Sequence, residues 1–261
     1  MKKGIFITVR TNSSRLPNKA LRKIRNKATI EYAIERAKQS MHADVVVLCT
    51  STSDEDEALC QIAYKNGIKC FRGSLIDKID RWYQAALEHE IDYFVNIDGD
   101  DLFCEPELID MAFEQFDKED HDFVKCDEKN LVVGAFTLGA KTTAIKKICE
   151  IKDTDDTEAA WLYFSDMSIF ETSMLRDIPE VYKRPEIRAT LDYYDDFLFF
   201  KTIIEHFGDE KKYTFSLLDV IEYVNNNPSV LDINRNCQEK YLKNQQKLTK
   251  LTIKEEHNER F

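Results

Sequence analysis

The sequence is poor in several things, and each shortage narrows what the chain can be. Only seven glycines occur among 261 residues, so turns must lean on Asn and Asp, the non-glycine residues most tolerant of turn conformations. No window approaches the ~20 apolar residues of a membrane span. No Lys/Arg run tracks a phosphate backbone, and the formal net charge is −11, which argues against nucleic acid as a partner. The seven cysteines include no C-x-x-C pair; with several in expected strands or helices, they read as a reduced, cytoplasmic set and not as a disulfide framework or zinc site. The five histidines are scattered, suggesting neither metal cluster nor triad, and no G-x-S-x-G nucleophile turn is present. The N-terminus runs straight into a strand, so no signal peptide is expected. Internal repeats and low-complexity linkers are also missing.

What is present is a β–loop–α alternation. Strands are expected at 5–9, 44–49, 68–71 and 93–97, with helices at 29–40, 54–66 and 79–90 between them. That pattern makes a doubly wound sheet over roughly the first 115 residues. Beyond it, strands are expected at 123–126, 131–138 and 213–215, and helices at 140–150, 195–207 and 217–225. From about Gln238 the chain is highly charged and reads as a partly helical, partly frayed tail. The whole is read as one α/β domain, residues 1–261, with a mixed sheet flanked by helices and an excursion at about 150–187.

The first strand, Ile5 to Val9, opens into Arg10-Thr11-Asn12-Ser13-Ser14-Arg15-Leu16-Pro17-Asn18-Lys19. In an open α/β sheet, the loop leaving a strand's carboxyl end is where ligands bind. Hydroxyls, amides and three cations in ten residues suit a polyphosphate, although a solvated basic loop would look the same in isolation. A second strand end carries Asp98-Gly99-Asp100-Asp101, hard oxygen donors of the kind that hold Mg²⁺ or Mn²⁺; alone, it is as readily an acidic surface turn.

The order of the loop residues resembles the A-R-x-x-S-x-R-L-P-x-K loop of cytidylyltransferases, the enzymes that make CMP-3-deoxy-manno-octulosonate, CMP-sialic acid and, in the SpsF-like branch, spore-coat polysaccharide precursors. Val9 stands where Ala is usual, and Asn18 replaces Gly, a change compatible with positive φ. The stretch Asn96 to Asp110 is similar to the family's G-D-x-P-L-I-x-P-x-x-I-D, which puts Asp100 on the metal-binding aspartate. Asp98 occupies a position usually held by Gln or Thr. Arg72-Gly73-Ser74-Leu75-Ile76-Asp77-Lys78-Ile79-Asp80-Arg81 resembles the SpsF-like R-G-S-x-x-D-x-x-D-R run, which lies beside the nucleotide. Arg188-Ala189-Thr190-Leu191-Asp192 resembles R-x-T-V-D, making Asp192 the second metal ligand.

The resemblance implies a Rossmann-like nucleotidyltransferase fold with a mixed, mostly parallel sheet. It implies transfer of CMP from CTP to a sugar acid, sugar phosphate or small phosphorylated acceptor, with pyrophosphate released, for surface polysaccharide synthesis. Lys19, Arg15 and Asp100 would be catalytic. Arg10, Thr11, Asn12, Ser13, Ser14, Arg15, Lys19, Arg72, Gly73, Ser74 and Asp98 would bind nucleotide. Asp100 and Asp192 would hold Mg²⁺, or Mn²⁺ in its place. The excursion, with its Trp161-Leu162-Tyr163-Phe164 cluster, is expected to help form a homodimer, since exposed apolar patches mark interfaces. Two other readings stay open: a glycosyltransferase using Asp98-Gly99-Asp100 as D-x-D, and a non-catalytic binding module.

Overall fold

Ile5, Phe6 and Ile7 are all fully buried. Alternation along a strand sends Phe6 to one face and its two neighbours to the other, so both faces of the sheet must be covered. A computed structural model describes residues 1–127, 129–157, 160–165, 169–208 and 215–245. In it β1 (Lys3–Thr8) leads through a small hairpin, β2 (Lys23–Ile24) and β3 (Lys27–Ala28), into α1 (Thr29–Ala37). There follow β4 (Val45–Ser51), α2 (Glu57–Lys65), β5 (Lys69–Gly73), α3 (Lys78–Glu88), β6 (Tyr93–Asp98) and α4 (Pro106–Lys118). The second half supplies β7 (Phe123–Lys125), β8 (Leu138–Lys141), α5 (Thr142–Ile151), α6 (Trp161–Ser165) and β9 (Thr172–Met174). Three helices close the described chain: α7 (Tyr194–Phe207), α8 (Leu217–Asn226) and α9 (Cys237–Gln245).

The strands form one seven-stranded sheet in the order β5-β4-β1-β6-β8-β7-β9. β5, β4, β1 and β6 are parallel, β8 runs against both its neighbours, and β9 is parallel to β7 at the edge. This is the mixed, mostly parallel sheet expected. Phe6 stacks on Phe94 with ring centroids 4.3 Å apart, in a core shared with Trp82 of α3 and Ile145 and Ile148 of α5. Ile5 and Ile7 face the other layer, against Ile30 and Ala33 of α1, Phe113 of α4 and Phe199 of α7. The chain leaves β1 toward β4 on one flank and returns to β6 on the other. A crevice therefore opens beyond the carboxyl ends of β1 and β6, where sheets of this kind take their ligands.

Several expectations need correction. The strand expected at 131–138 survives only from Leu138; Val133 makes an isolated bridge to Arg188. Gly134 has φ +89°, and a Cβ there would lie 2.4 Å from the Ala189 carbonyl oxygen, so the backbone bends where a strand would continue. Of the strand expected at 213–215, residues 213 and 214 lie outside the described residues, and Phe215 is a buried core residue outside any strand. Within the excursion, Leu162, Tyr163 and Phe164 are buried, with Phe164 5.3 Å from the Phe123 ring. Tyr163 and Phe164 pack in the core shared with Phe6 and Phe94, so these side chains face the subunit interior; the Trp161 side chain lies outside what is described. Cys60 on α2 and Cys70 on β5 are joined as a disulfide, Cα atoms 5.5 Å apart, contrary to the all-thiol expectation, because the helix packs across the strand that follows it. The other five cysteines are free. No helix among the described residues is long and apolar enough to cross a membrane.

One buried carboxylate fixes the base of the crevice. Asp56, 1% exposed, accepts at Oδ1 from the Thr11 N–H (2.8 Å) and hydroxyl (2.6 Å). At Oδ2 it accepts from the Ser51 N–H (3.2 Å) and hydroxyl (2.5 Å). It thereby ties the loop after β1 to the end of β4. Burial favours the neutral acid, yet the Ser51 and Thr11 hydrogen bonds overcome it and hold the Asp56 carboxyl below its ordinary value. A depressed carboxyl stabilises the fold above its unfolded-state pKa and loses that contribution as pH falls through the folded value. Asp56→Ala should cost about 2–3 kcal/mol at pH 7, the scale of hydrogen bonds to a charged acceptor. In urea denaturation the gap from wild type should narrow below about pH 4; a gap that is constant with pH would contradict this assignment.

Candidate active site

Three backbone contacts bring the chemistry-bearing loops together. Val9 donates to the Cys49 carbonyl (3.1 Å), Gly99 to the Thr8 carbonyl (2.8 Å), and Leu191 to the Asp100 carbonyl (2.9 Å). The approach at Gly99 requires glycine, because a Cβ would lie 2.6 Å from the Val9 Cβ and 2.9 Å from Ile30 Cδ1. Leu191 docks the 188–192 segment beside the β6 loop, which sets Asp192 near Asp100. Across the crevice, Asn18 takes φ +53°, the left-handed turn expected of it. The chain then enters a short 3₁₀ turn at Lys19–Leu21 that directs Lys19 back over the sheet.

Lys19 Nζ donates to Asp100 Oδ2 and, at 3.1 Å, to Asp192 Oδ1. Arg15 Nη2 reaches the same Asp192 oxygen at 2.5 Å. The other Asp192 oxygen accepts from Arg188 Nη2 at 2.8 Å, and Arg188 Nε donates to Asp196 Oδ1 at 3.1 Å. Asp196 is fully buried and caps the turn by accepting from the N–H groups of Asp192 (3.0 Å) and Tyr193 (2.9 Å). Burial works against the charge on Asp192, but Lys19 and Arg15 hold its carboxyl down to about 2. Lys19 is raised above its ordinary value, Asp100 and Asp192 outweighing its desolvation.

The β6 loop concentrates negative charge. Asp98, Asp100 and Asp101 each place a carboxylate oxygen within 4.8 Å of the others. Burial pushes the Asp100 carboxyl up, with Lys19 pulling down and Asp192 and Asp98 adding to the push. Asp101 is pushed well up by burial and by its neighbours Asp100 and Asp98; Thr137 Oγ1 lies 3.2 Å from it. Asp98 is held low, against its burial, by Lys78 at 2.9 Å and by Asn96. Crowded carboxylate oxygens with too little positive charge to match them suit a hard divalent cation.

A cleft of about 780 Å³ opens over these groups. Arg10, Asn12, Ser13, Ser14, Arg15 and Lys19 line it from the loop after β1, and Asp98, Asp100 and Asp192 from the facing wall. Thr11 is turned inward onto Asp56. Arg72, Gly73 and Ser74 are not brought to the cleft. The Arg72 guanidinium is committed to the Ser51 carbonyl (3.1 Å), the Ser53 carbonyl (2.7 Å) and Glu57 (2.6 Å), and Ser74 Oγ accepts from the Asp77 N–H (3.0 Å) at the start of α3. The run's contribution to the cleft comes instead from Lys78 and Arg81. Asp101 and Arg188, which the sequence placed in motifs without a role of their own, also line the cleft, together with three residues of α9 that the sequence did not single out: Gln238, Tyr241 and Gln245. The spacing i, i+3, i+7 of those three was the available signal, set within a tail whose charge drew attention away from it.

A family model for cytidylyltransferases matches residues 5–250. An uncharacterized protein of Methanocaldococcus jannaschii is 32% identical over 239 residues, covering 90% of this chain and 95% of that protein. The spore coat polysaccharide biosynthesis protein SpsF of Bacillus subtilis is 25% identical over 228 residues, covering 85% and 94% respectively. Among solved structures, a cytidylyltransferase from Leptospira borgpetersenii superposes with a TM-score of 0.79 at 26% identity, over 88% of this chain and 97% of that one. The expected nucleotidyltransferase fold is thus the one found, and the match displaces the glycosyltransferase and binding-module readings. With Lys19 of its basic loop paired to Asp100 after β6 and to Asp192 before α7, the chain belongs to the cytidylyltransferase family of CTP-dependent nucleotidyltransferases.

Proposed function

We propose that the chain transfers CMP from CTP to an oxygen of a small acidic acceptor, a sugar acid, sugar phosphate or other small phosphorylated compound, for surface polysaccharide synthesis. The observation that carries this reading is the contact of Lys19 with both Asp100 and Asp192. It places the basic loop and the carboxylate wall at one point, within reach of one polyphosphate. The name of the Bacillus subtilis relative supports a polysaccharide precursor as product.

In the reaction an acceptor oxygen attacks the α-phosphorus, the bond from that phosphorus to the bridging oxygen breaks, and pyrophosphate leaves. Such a transfer needs positioning and charge neutralisation more than covalent catalysis. Arg10, Arg15 and Lys19 meet the charge that grows on the leaving pyrophosphate. Asp100 and Asp192 would hold Mg²⁺ or Mn²⁺, which when bound would supply positive charge to neutralise the α-phosphate region. Asn12, Ser13 and Ser14 offer donors along the loop. Asp98, fixed by Lys78, and the 131–137 segment form the wall left for the acceptor.

A pyrophosphate-release screen crossing CTP, UTP, ATP and GTP with a panel of sugar acids and sugar phosphates tests the assignment. Release is expected with CTP and an acidic acceptor; equal turnover with UTP or GTP would remove the cytidylyl reading.

Two substitutions probe the roles. Asp100→Asn should abolish turnover while leaving the thermal midpoint unchanged or slightly raised, since it relieves a crowded carboxylate; activity within a few-fold of wild type would refute the metal assignment. Lys19→Ala should lower kcat by about 10²-fold or more, the scale of losing one preorganised electrostatic donor. Arg15→Lys should also impair turnover, because a point charge cannot reproduce a two-pronged phosphate contact. Unchanged kcat in both would mean that the loop does not meet the triphosphate.

A further inference from the structure

The C-terminal helix is built onto the site at several points. Asn234, just before α9, donates Nδ2 to the Arg188 carbonyl (3.0 Å) and to Asp196 Oδ1 (3.0 Å). Gln238 Oε1 accepts from Arg188 Nη1. Asn244 Nδ2 reaches the Tyr193 hydroxyl at 3.2 Å. Between them, the Tyr241 ring lies against two guanidinium groups, 5.5 Å from Arg15 Cζ and 5.3 Å from Arg188 Cζ. These are the two arginines that grip Asp192 from its two oxygens.

We propose that α9 is a working part of the nucleotide site and that Tyr241 is its positioning residue, holding Arg15 in place for the triphosphate while it backs Arg188 against Asp192. This rests on the reading of Arg15 as a triphosphate ligand. A guanidinium offers its face to an aromatic ring and its edge to hydrogen-bond acceptors. Asp192 uses the edge of Arg15 and so competes with an incoming phosphate for the same N–H donors. Tyr241 meets the cation through its ring, 5.5 Å from Arg15 Cζ, and so leaves the N–H donors to oxygen acceptors. The ring therefore keeps Arg15 over the cleft when its donors pass from Asp192 to phosphate oxygens, and the arginine is ordered before the nucleotide arrives. The α9 core anchor is Cys237, its buried residue. Tyr241 is only partly buried and lines the cleft, a placement that serves the cleft more than it serves the packing of the helix.

The test is CTP affinity by calorimetry, without acceptor, in EDTA and again with Mg²⁺, for wild type, Tyr241→Ala, Tyr241→Leu, Tyr241→Phe, Arg15→Ala and the double variant Arg15→Ala/Tyr241→Ala. Tyr241→Leu fills the space without an aromatic face, so it separates ring from bulk and stands in if the alanine variant fails to fold. Both Tyr241→Ala and Tyr241→Leu should weaken CTP binding about tenfold, within the range for losing a partly desolvated cation–ring contact. Tyr241→Phe should stay within about threefold of wild type. In EDTA, where the Arg188–Asp192 contact bears on no metal and Tyr241 acts through Arg15, the double variant should bind CTP no worse than Arg15→Ala alone. Wild-type affinity in Tyr241→Leu, a Phe variant as weak as the leucine one, or losses that multiply in the double variant in EDTA would each overturn the proposal. If Arg15→Ala alone binds CTP like wild type, the underlying reading of the loop fails and this inference fails with it. A loss in Arg15→Ala without one in Tyr241→Leu overturns the inference and leaves that reading standing.

Discussion

A single ammonium shared between two carboxylates organises this molecule. Lys19 reaches Asp100 and Asp192, groups far apart in the chain and delivered by different segments. The Leu191 contact sets their segments side by side, and the cation bridges the two carboxylates. Such a pair in a partly buried place is held by charge whose desolvation is costly, so its partners must be kept in position by other contacts. Leu191 docking on the Asp100 carbonyl and Asp196 capping the turn at Asp192 provide that support on one side. The Asn18 turn and the Asp56 anchor under Thr11 provide it on the other.

The same arrangement explains how the site responds to a nucleotide. Lys19 and Arg15 are already gathered and charged, but their donors are spent on carboxylates. A triphosphate offers these cations more negative charge, and a divalent cation offers the carboxylates a replacement partner. Under the proposed function, binding would be an exchange of partners within this preformed cluster, Lys19 and Arg15 passing from Asp100 and Asp192 to phosphate oxygens. Charges arranged in advance stabilise a developing charge more effectively than groups that must reorganise when it appears.

How much of this was legible beforehand depended on how local each feature is. The strand, the loop and the Asn18 turn are encoded over fifteen consecutive residues, and the structure has all three, with Thr11 alone of the expected loop ligands turned away from the cleft. The second carboxylate was legible only through a family resemblance, because nothing in the sequence around Asp192 marks it among 48 acids. Within the run that begins at Arg72, the structure brings Lys78 and Arg81 to the cleft and turns Arg72 away from it, for a tertiary reason. The Arg72 guanidinium faces the backbone of the β4–α2 connection, and sequence does not reveal toward which side an arginine's donors are spent. Helix α4 could have been read from Pro106 at its first turn and buried apolar residues at 108, 109, 112, 113 and 116, a plain amphipathic spacing. The Cys60–Cys70 pairing and the docking of α9 depend on packing between elements, which no local pattern carries.

The most direct measurement is a crystal structure of the protein with CTP and Mn²⁺, the ion located by its anomalous scattering. The account predicts Mn²⁺ bound to Asp100 and Asp192, Lys19 and Arg15 shifted from these carboxylates onto phosphate oxygens, and the Tyr241 ring still against the Arg15 guanidinium. A complex in which Lys19 remains paired with Asp100 and Asp192, with the triphosphate seated elsewhere, would contradict it.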